Sequence, residues 1–236
     1  MNDKDLKERI RYFQEIADKY GHEEVSASRV YEIAGEVLRP IDMGLTVLRP
    51  GHYVANAGPE IVHVLKLYAT KGASYHVRWG VSLGYMPHKW NPVLRWHKTL
   101  KSARFDVWEN AFEYLDLDEK HWREREGFLV SRLNGEIFLR EQMNEMWTRL
   151  VTVIREWFAS TNTLSGVLWA IDRQIERMGG SSHHFPPPSL VRIFTLCRIG
   201  DIQKARLDLR AYFQDSGADS VDRNNLTAAL ESVAEA

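Results

Sequence analysis

Apolar and polar positions change their period twice along this chain. From Asp3 to Tyr20 the residues Leu6, Ile10, Phe13, Ile16 and Ala17 recur three and four apart, the stripe of an amphipathic helix, and Gly21 ends it. A second helix is predicted over residues 26–38, with Ser26 as its cap and Val30, Ile33, Ala34 and Val37 inward. Proline disfavours helical geometry in the residue before it, so Arg39-Pro40 closes that helix. The period then falls to two. Over residues 74–85, Tyr75, Val77, Trp79, Val81, Leu83 and Tyr85 alternate with Ser74, His76, Arg78, Gly80, Ser82 and Gly84, which predicts a strand with one apolar and one polar face. Residues 60–70 read as its hairpin partner, with Val62, Val64 and Lys66 alternating against Ile61, His63, Leu65 and Leu67; Lys71-Gly72-Ala73 supplies the turn. Shorter strands are expected over 45–48 and His52–Asn56, separated by Arg49-Pro50-Gly51. Residues 105–117 read as a strand or irregular segment running into a helix.

The helical period then returns. Residues 136–159 carry Ile137, Leu139, Met143, Met146, Leu150, Val153, Ile154 and Trp157, and residues 163–178 carry Leu164, Val167, Leu168, Ile171 and Ile175 before Gly179-Gly180. The run SSHHFPPP is a loop, because consecutive prolines cannot continue a helix. Helices over 189–198, 201–214 and 223–234 follow, the first two joined at Gly200 with Asp201 as the next cap. The expected fold class is α+β: two N-terminal helices, an antiparallel sheet of about four strands and a helical C-terminal half. The expected division is an α+β domain over 1–118 with a helical region over 119–236 packed on it.

The segment GLTVLRPGHYVANAGPEIVHVLKLYATKGASYHVRWGVSLGYMP resembles the bacterial domain-of-unknown-function family 4304, over about residues 10–115. The shared features are a helix, a strand opened by Gly44, the Arg49-Pro50-Gly51-His52-Tyr53 turn, a strand like IVHVLKL and a strand ending WGVSLGY. The resemblance implies an α+β fold and carries no catalytic residues. The run LVRIFTLCRIGDIQKARLDLRAYF is similar to a helical hairpin of the tetratricopeptide kind, with Gly200 at the turn and Ala205 at the helix contact. One such pair cannot bury a solenoid core.

Composition removes several function classes. The 236 residues hold 31 Lys and Arg against 32 Asp and Glu, which excludes a globally basic nucleic-acid coat. The lone Cys197 excludes an internal disulfide and a cysteine zinc cluster, and it fits a reducing cytoplasm. An N-terminus charged from its third residue is not that of a signal peptide, and no apolar stretch reaches the roughly 18 residues of a membrane span. No phosphate-binding glycine loop, dinucleotide fingerprint, nucleophile elbow or paired-histidine metalloprotease helix is present, so no cofactor is expected. Among nine histidines, His183-His184 lies in the Ser/Pro run and His88 and His97 flank PHKWNPVLRWH; loop packing explains each better than ligation. The carboxylate pairs Glu141/Glu145 and Glu113/Asp116 read as solvated helix surface, and Cys197 as a buried structural thiol.

The distribution of charge changes the picture most. Residues 39–104 hold ten lysines and arginines against only Asp42 and Glu60, a local charge of +8 balanced by −9 elsewhere. Two readings follow. The cations pair with acids of surrounding helices, which the near cancellation favours, or they hold phosphates beside aromatic residues that stack bases. On the first reading the protein is a non-catalytic binding or adaptor protein acting through contacts with a protein partner or a second copy of itself; the family resemblance implies a bacterial defence or conflict system as its setting. On the second it is a nucleic-acid or nucleotide-binding module. Its candidate residues are then Arg78 as a phosphate fork, His76 and Ser82 on the same strand face, Lys66 and Arg49 nearby, and Trp79 for stacking. Neither reading places the chain in a membrane.

The ligand spacing also yields a prediction. Purified protein should carry no stoichiometric transition metal; elemental analysis finding about one per chain, lost when His183 and His184 are replaced, would contradict this.

Overall fold

The structure, a computed structural model, describes residues 3–70, 73–90, 93–96, 99–115, 117, 122–178 and 186–235. The Lys71-Gly72 turn, the Gly179-Gly180 helix stop, His97, Asp116 and the His183-His184 loop lie outside the described residues. Helix α1 runs Asp3–Tyr20 and α2 runs Ala27–Leu38. The Ser26 hydroxyl oxygen accepts the Arg29 N–H at 3.3 Å, satisfying one orphan donor of α2. At the other end Arg39 adopts φ 41°, a left-handed residue placed where Pro40 forbids another helical turn.

Strands β1 (Thr46–Arg49), β2 (His52–Asn56), β3 (Ile61–Ala69) and β4 (Ser74–Leu83) follow in sequence and lie side by side in that order. Beyond them β5 (Pro87–Trp90) and β6 (Val93–Trp96) form a separate antiparallel hairpin, with Pro87 opposite Trp96. Strand β7 (Val107–Asn110) joins the main sheet beside β4 and runs straight into the single turn α3 (Ala111–Tyr114). The ambiguous segment over 105–117 therefore resolves as strand then helix. Asn110 makes the change, since its side-chain oxygen accepts the Glu113 N–H at 3.0 Å. After α4 (Trp122–Glu126), the short β8 (Val130–Ser131) pairs with the start of β4, Tyr75 opposite Val130. The antiparallel sheet thus has six strands where about four were expected; the additional ones are the four-residue β7 and two-residue β8.

Backbone hydrogen bonds fix the registers. Thr70 N–H to Ser74 C=O and Gly84 N–H to Glu60 C=O, both 2.8 Å, close the two ends of the β3–β4 ladder. Leu67 N–H to Gly51 C=O at 2.9 Å and Ala57 N–H to Ile61 C=O at 2.8 Å do the same for β2–β3. Residues of like parity therefore share a face, and Lys66 stands between His52 on one side and Arg78 on the other. The odd-numbered face is core: Tyr53, Leu65, Leu67, Tyr75, Val77, Trp79, Val81 and Leu83 are all buried. Tyr75 meets the Tyr31 ring of α2 edge-on at 5.9 Å.

The even face departs from the expected solvent-facing polar side. His76 and Ser82 are buried as well. At Gly80 the backbone of β7 comes so close that an added Cβ would lie 2.2 Å from the Val107 carbonyl oxygen, and the Phe112 ring lies 5.6 Å from His76. A central strand covered on both sides keeps polar side chains out of water wherever a neighbour crosses them.

The remaining helices are α5 (Gly135–Ser160), α6 (Leu164–Met178), α7 (Pro188–Arg198), α8 (Ile202–Ser216) and α9 (Ser220–Ala234). Helix α5 buries Leu139, Met143, Met146, Leu150, Ile154 and Trp157, exposes Ile137 and leaves Trp147, Val151 and Val153 partly covered. Gly200, at φ 94°, turns α7 into α8, and Asp201 caps α8 by accepting the Lys204 N–H at 3.4 Å. Cys197 is buried in α7 with its thiol directed at the Leu230 carbonyl. Two compact units, neither continuous in sequence, make up the chain: Met1–Tyr53 with Leu65–Arg78 and Asn110–Arg155, and Val54–Val64 with Trp79–Glu109 and Glu156–Ala236. No helix among the described residues is long and apolar enough to cross a membrane.

The approach at Gly80 makes the fold testable. Gly80→Ala sets a methyl group against backbone that cannot swing aside and should lower the unfolding free energy by about 2–4 kcal/mol in a urea titration, with an unchanged midpoint contradicting the packing.

Candidate anion-binding site

One patch on the even face gathers several cations on neighbouring strands. Arg49 ends β1, and its Nε–H donates to His52 Nδ1 at the start of β2, 3.2 Å away. His52 neighbours Lys66, and Lys66 neighbours Arg78 across the next ladder. Tyr68, two residues beyond Lys66 and on the same face, lies under both cations: Arg78 Cζ is 4.3 Å and Lys66 Nζ 4.9 Å from its ring centre. The Tyr68 ring also touches His76 at 5.7 Å, and Arg125 of α4 sits 4.9 Å over Phe112. Lys66 and Arg78 are half-buried and Arg49 is exposed.

The electrostatics follow from this crowding. Burial pushes the Lys66 ammonium below its ordinary range, and the Arg49 and Arg78 charges push it further. His52 falls to about 4, first through burial and then through Arg49 and Lys66. His76 also falls to about 4, through burial and then Arg78. Both imidazoles are therefore neutral at pH 7, and each keeps a buried ring nitrogen, His52 Nε2 and His76 Nδ1, without a hydrogen-bond partner. Arg49 and Lys66 have no carboxylate partner among the described residues; the Glu113 carboxylate acts on Arg78 from α3.

Several acids of the helices are engaged by the helices' own arginines. Glu136 accepts from Arg29 and Arg140, which hold its carboxyl down to about 2. Asp172 and Asp208 share Arg192, Glu231 accepts from Arg206, and Glu126 from Arg9. Glu60, one of the two acids in the basic segment, itself pairs with Arg198 of α7 at 2.6 Å. The carboxylates expected to be solvated surface have partners too: Glu141 accepts from Tyr20 and Glu145 pairs with Arg149.

Of the six candidates named from sequence, Arg49, Lys66, Arg78 and His76 come together. Trp79 does not join them, because its odd number turns it to the other face, where it is 0% exposed and offers no ring to a base. Ser82 lies on the correct face but four residues along β4, and it is buried. His52 and Tyr68 belong to the patch as well and were not among those six. Both were legible in principle, since β2 and β3 were predicted, but their place in the row depends on registers that alternation alone does not fix.

A second polar cluster is sealed in the core. Asp106, at the entry to β7, accepts the Leu83 N–H through Oδ2 at 2.7 Å, and its Oδ1 lies 2.9 Å from His88 Nε2 on β5. Arg104 Nε–H donates to the same His88 nitrogen at 3.1 Å. Full burial pushes the Asp106 carboxyl up to about 8, partly offset by the Leu83 N–H and Arg104. With the Nε2 lone pair taken by Arg104, Asp106 Oδ1 is buried without a hydrogen-bond partner, which suits the neutral acid better than the carboxylate. His88 is thus a packed core residue that ties the β5–β6 hairpin to β7. Among the described residues no group of three or more His, Cys, Asp or Glu is placed to hold a metal ion.

Compared with family models, curated proteins and solved structures, the chain matches none.

The Asp106 cluster generates a prediction with a definite sign. Its carboxyl holds a proton in the folded chain from about pH 4 to about 8, where the unfolded chain has lost it, so its contribution falls as pH rises through that window. Asparagine keeps the acceptor for the Leu83 N–H without titrating. Asp106→Asn should therefore gain about 1–3 kcal/mol over the parent between pH 5 and pH 8, below the ~1.4 kcal/mol per pH unit that linkage allows. Urea titrations at the two pH values measure it, and a constant difference would contradict the buried neutral acid.

Proposed function

We propose that this protein is a non-catalytic binding module whose cationic sheet face holds a multiply anionic, phosphate-bearing ligand. The observation that carries this reading is the pairing pattern: Glu136, Asp172 and Glu231 have arginine partners on the helices, while Arg49 and Lys66 stand beside Arg78 with no carboxylate partner among the described residues. Like charges held close and half out of water repel one another, and an anion bound among them relieves that repulsion. The reading is non-catalytic because His52 and His76, held near 4, are too weak as bases to take a proton at pH 7. A cytoplasmic setting belongs to the same proposal, supported by the single buried thiol.

A specific observation favours a second reading, an adaptor acting through protein contacts. Leu6, Ile10 and Phe13 share one side of α1 and are 43%, 59% and 38% exposed, while Ile16 at its end is buried. The amphipathic stripe is thus only partly covered, and exposed apolar residues are weaker support than Arg49 and Lys66 without a carboxylate partner among the described residues.

The leading reading is tested on a phosphate-bearing cation-exchange resin at low salt. The parent, though close to neutral overall, should be retained, and the triple variant Arg49→Ala, Lys66→Ala, Arg78→Ala should elute at clearly lower salt. A control losing three exposed cations elsewhere, Arg11→Ala, Lys204→Ala and Arg210→Ala, should elute close to the parent. Equal elution of the two triple variants would contradict a site at the sheet.

A further inference from the structure

Resting on the adaptor reading and not on the anion site, we infer that α1 is the seam of a two-fold dimer. A second copy of this chain lays its own α1 antiparallel across Leu6, Ile10 and Phe13. The apolar stripe of an amphipathic helix ordinarily faces the core, and on α1 it does not. The side held against the protein carries Asp5, Arg9, Tyr12 and Ile16, which are half-buried or buried. Arg9 pairs there with Glu126 of α4 at 2.8 Å, and beyond it the Tyr20 ring lies 4.8 Å from Phe138 of α5. At 3.6 residues per turn, Leu6, Ile10, Phe13 and Ala17 stand a quarter-turn round the helix from that side. Leu6, Ile10 and Phe13 are exposed accordingly, Ile10 most of all at 59%.

The stripe is complementary to itself. Its spacings of four, three and four residues read the same from either end. A two-fold axis midway between Ile10 and Phe13 therefore sets Ile10 against Phe13 of the second copy, and Leu6 against the small Ala17 of the second copy. Charge fixes the orientation. Directly beside the stripe runs a row of exposed residues, Lys7, Arg11, Gln14 and Asp18, whose sign changes along the helix. The same axis brings Lys7 alongside Asp18 of the second copy and Arg11 alongside the neutral Gln14 of the second copy. A parallel pair would set Lys7 against Lys7 and Arg11 against Arg11, which disfavours it. A helix that lies on anionic lipid carries cations along its polar face, whereas α1 places Glu15 and Asp18 there. Eighteen residues make a seam about 27 Å long, so the dimer is a weak one, with a dissociation constant on the order of 10 µM.

Sedimentation equilibrium of the full chain at low salt, from about 1 to about 200 µM, reads the association directly. The parent should pass from the mass of one chain to that of two. Ile10→Glu should stay at one chain throughout, a loss of about 100-fold or more, while Leu207→Glu, at a comparably exposed position on α8, should dimerise like the parent. Lys7→Asp and Asp18→Lys should each weaken the dimer about three- to tenfold, and the double variant should recover to within about twofold of the parent, with circular dichroism confirming that each is folded. A parent of one-chain mass at about 200 µM would overturn the inference and leave the adaptor reading standing, with a different protein as partner. One-chain mass together with retention on anionic phospholipid vesicles, lost in Ile10→Glu, would assign the stripe to a lipid surface and overturn both. A dimer that survives Ile10→Glu, or whose two single charge variants are not rescued by the double variant, would equally overturn the antiparallel seam.

Discussion

Because β4 carries Tyr75, Val77, Trp79, Val81 and Leu83 on one side, that side has to be hidden, and each of those residues is buried. The ladders that hide it also decide what the other side becomes. With β3 and β7 as its neighbours, β4 has no free edge along most of its length, and β8 closes its first residues. His76, Arg78 and Ser82 then occupy a face overlaid in part by Phe112 and by the approach of β7 at Gly80. Polar side chains on such a face must be neutral and packed, as His76 and Ser82 are, or charged and half-covered, as Arg78 is.

That constraint explains why the charge cluster is informative. A surface lysine or arginine without a partner is ordinary, since water screens it and an exposed ion pair adds little. Lys66 and Arg78 are drawn partly out of water and set on adjacent strands, with Arg49 close enough to press on Lys66. On the helices, acids and arginines lie within reach of each other, as in Arg29 with Glu32 and Glu136 or Arg206 with Glu231, whereas Arg49 and Lys66 have no carboxylate partner among the described residues. The overall balance of 31 cations to 32 acids therefore conceals a local difference between arginines such as Arg29 and Arg206, which have carboxylates, and Arg49 and Lys66, which have none among the described residues.

Much of the architecture was legible in the chain, for physical reasons that also mark where legibility ends. Period-two alternation over 74–85 located β4, and Ser26, Arg39-Pro40 and Gly200 marked helix boundaries that hold because capping and backbone geometry are local. The β5–β6 hairpin and β8 escaped notice because strands of four and two residues carry too few alternations to stand out. Residue type and parity alone located Arg78, His76, Lys66 and Arg49. They could not show that Trp79's face was sealed, that His52 and Tyr68 completed the row, or that helix acids were already paired, since each depends on which elements meet in space.

The claim on which this account rests is that Arg49 and Lys66 have no carboxylate partner among the described residues. Its most direct test is the melting temperature of Lys66→Met at low ionic strength with no phosphate present. Removing one of several mutually repelling, half-buried charges should leave the melting temperature unchanged or raise it by about 2–4 °C, a gain that shrinks as salt screens the parent. A clear fall, such as follows when a charge that had a partner is deleted, would mean that Lys66 is neutralised within the fold, and the anion site would have no basis.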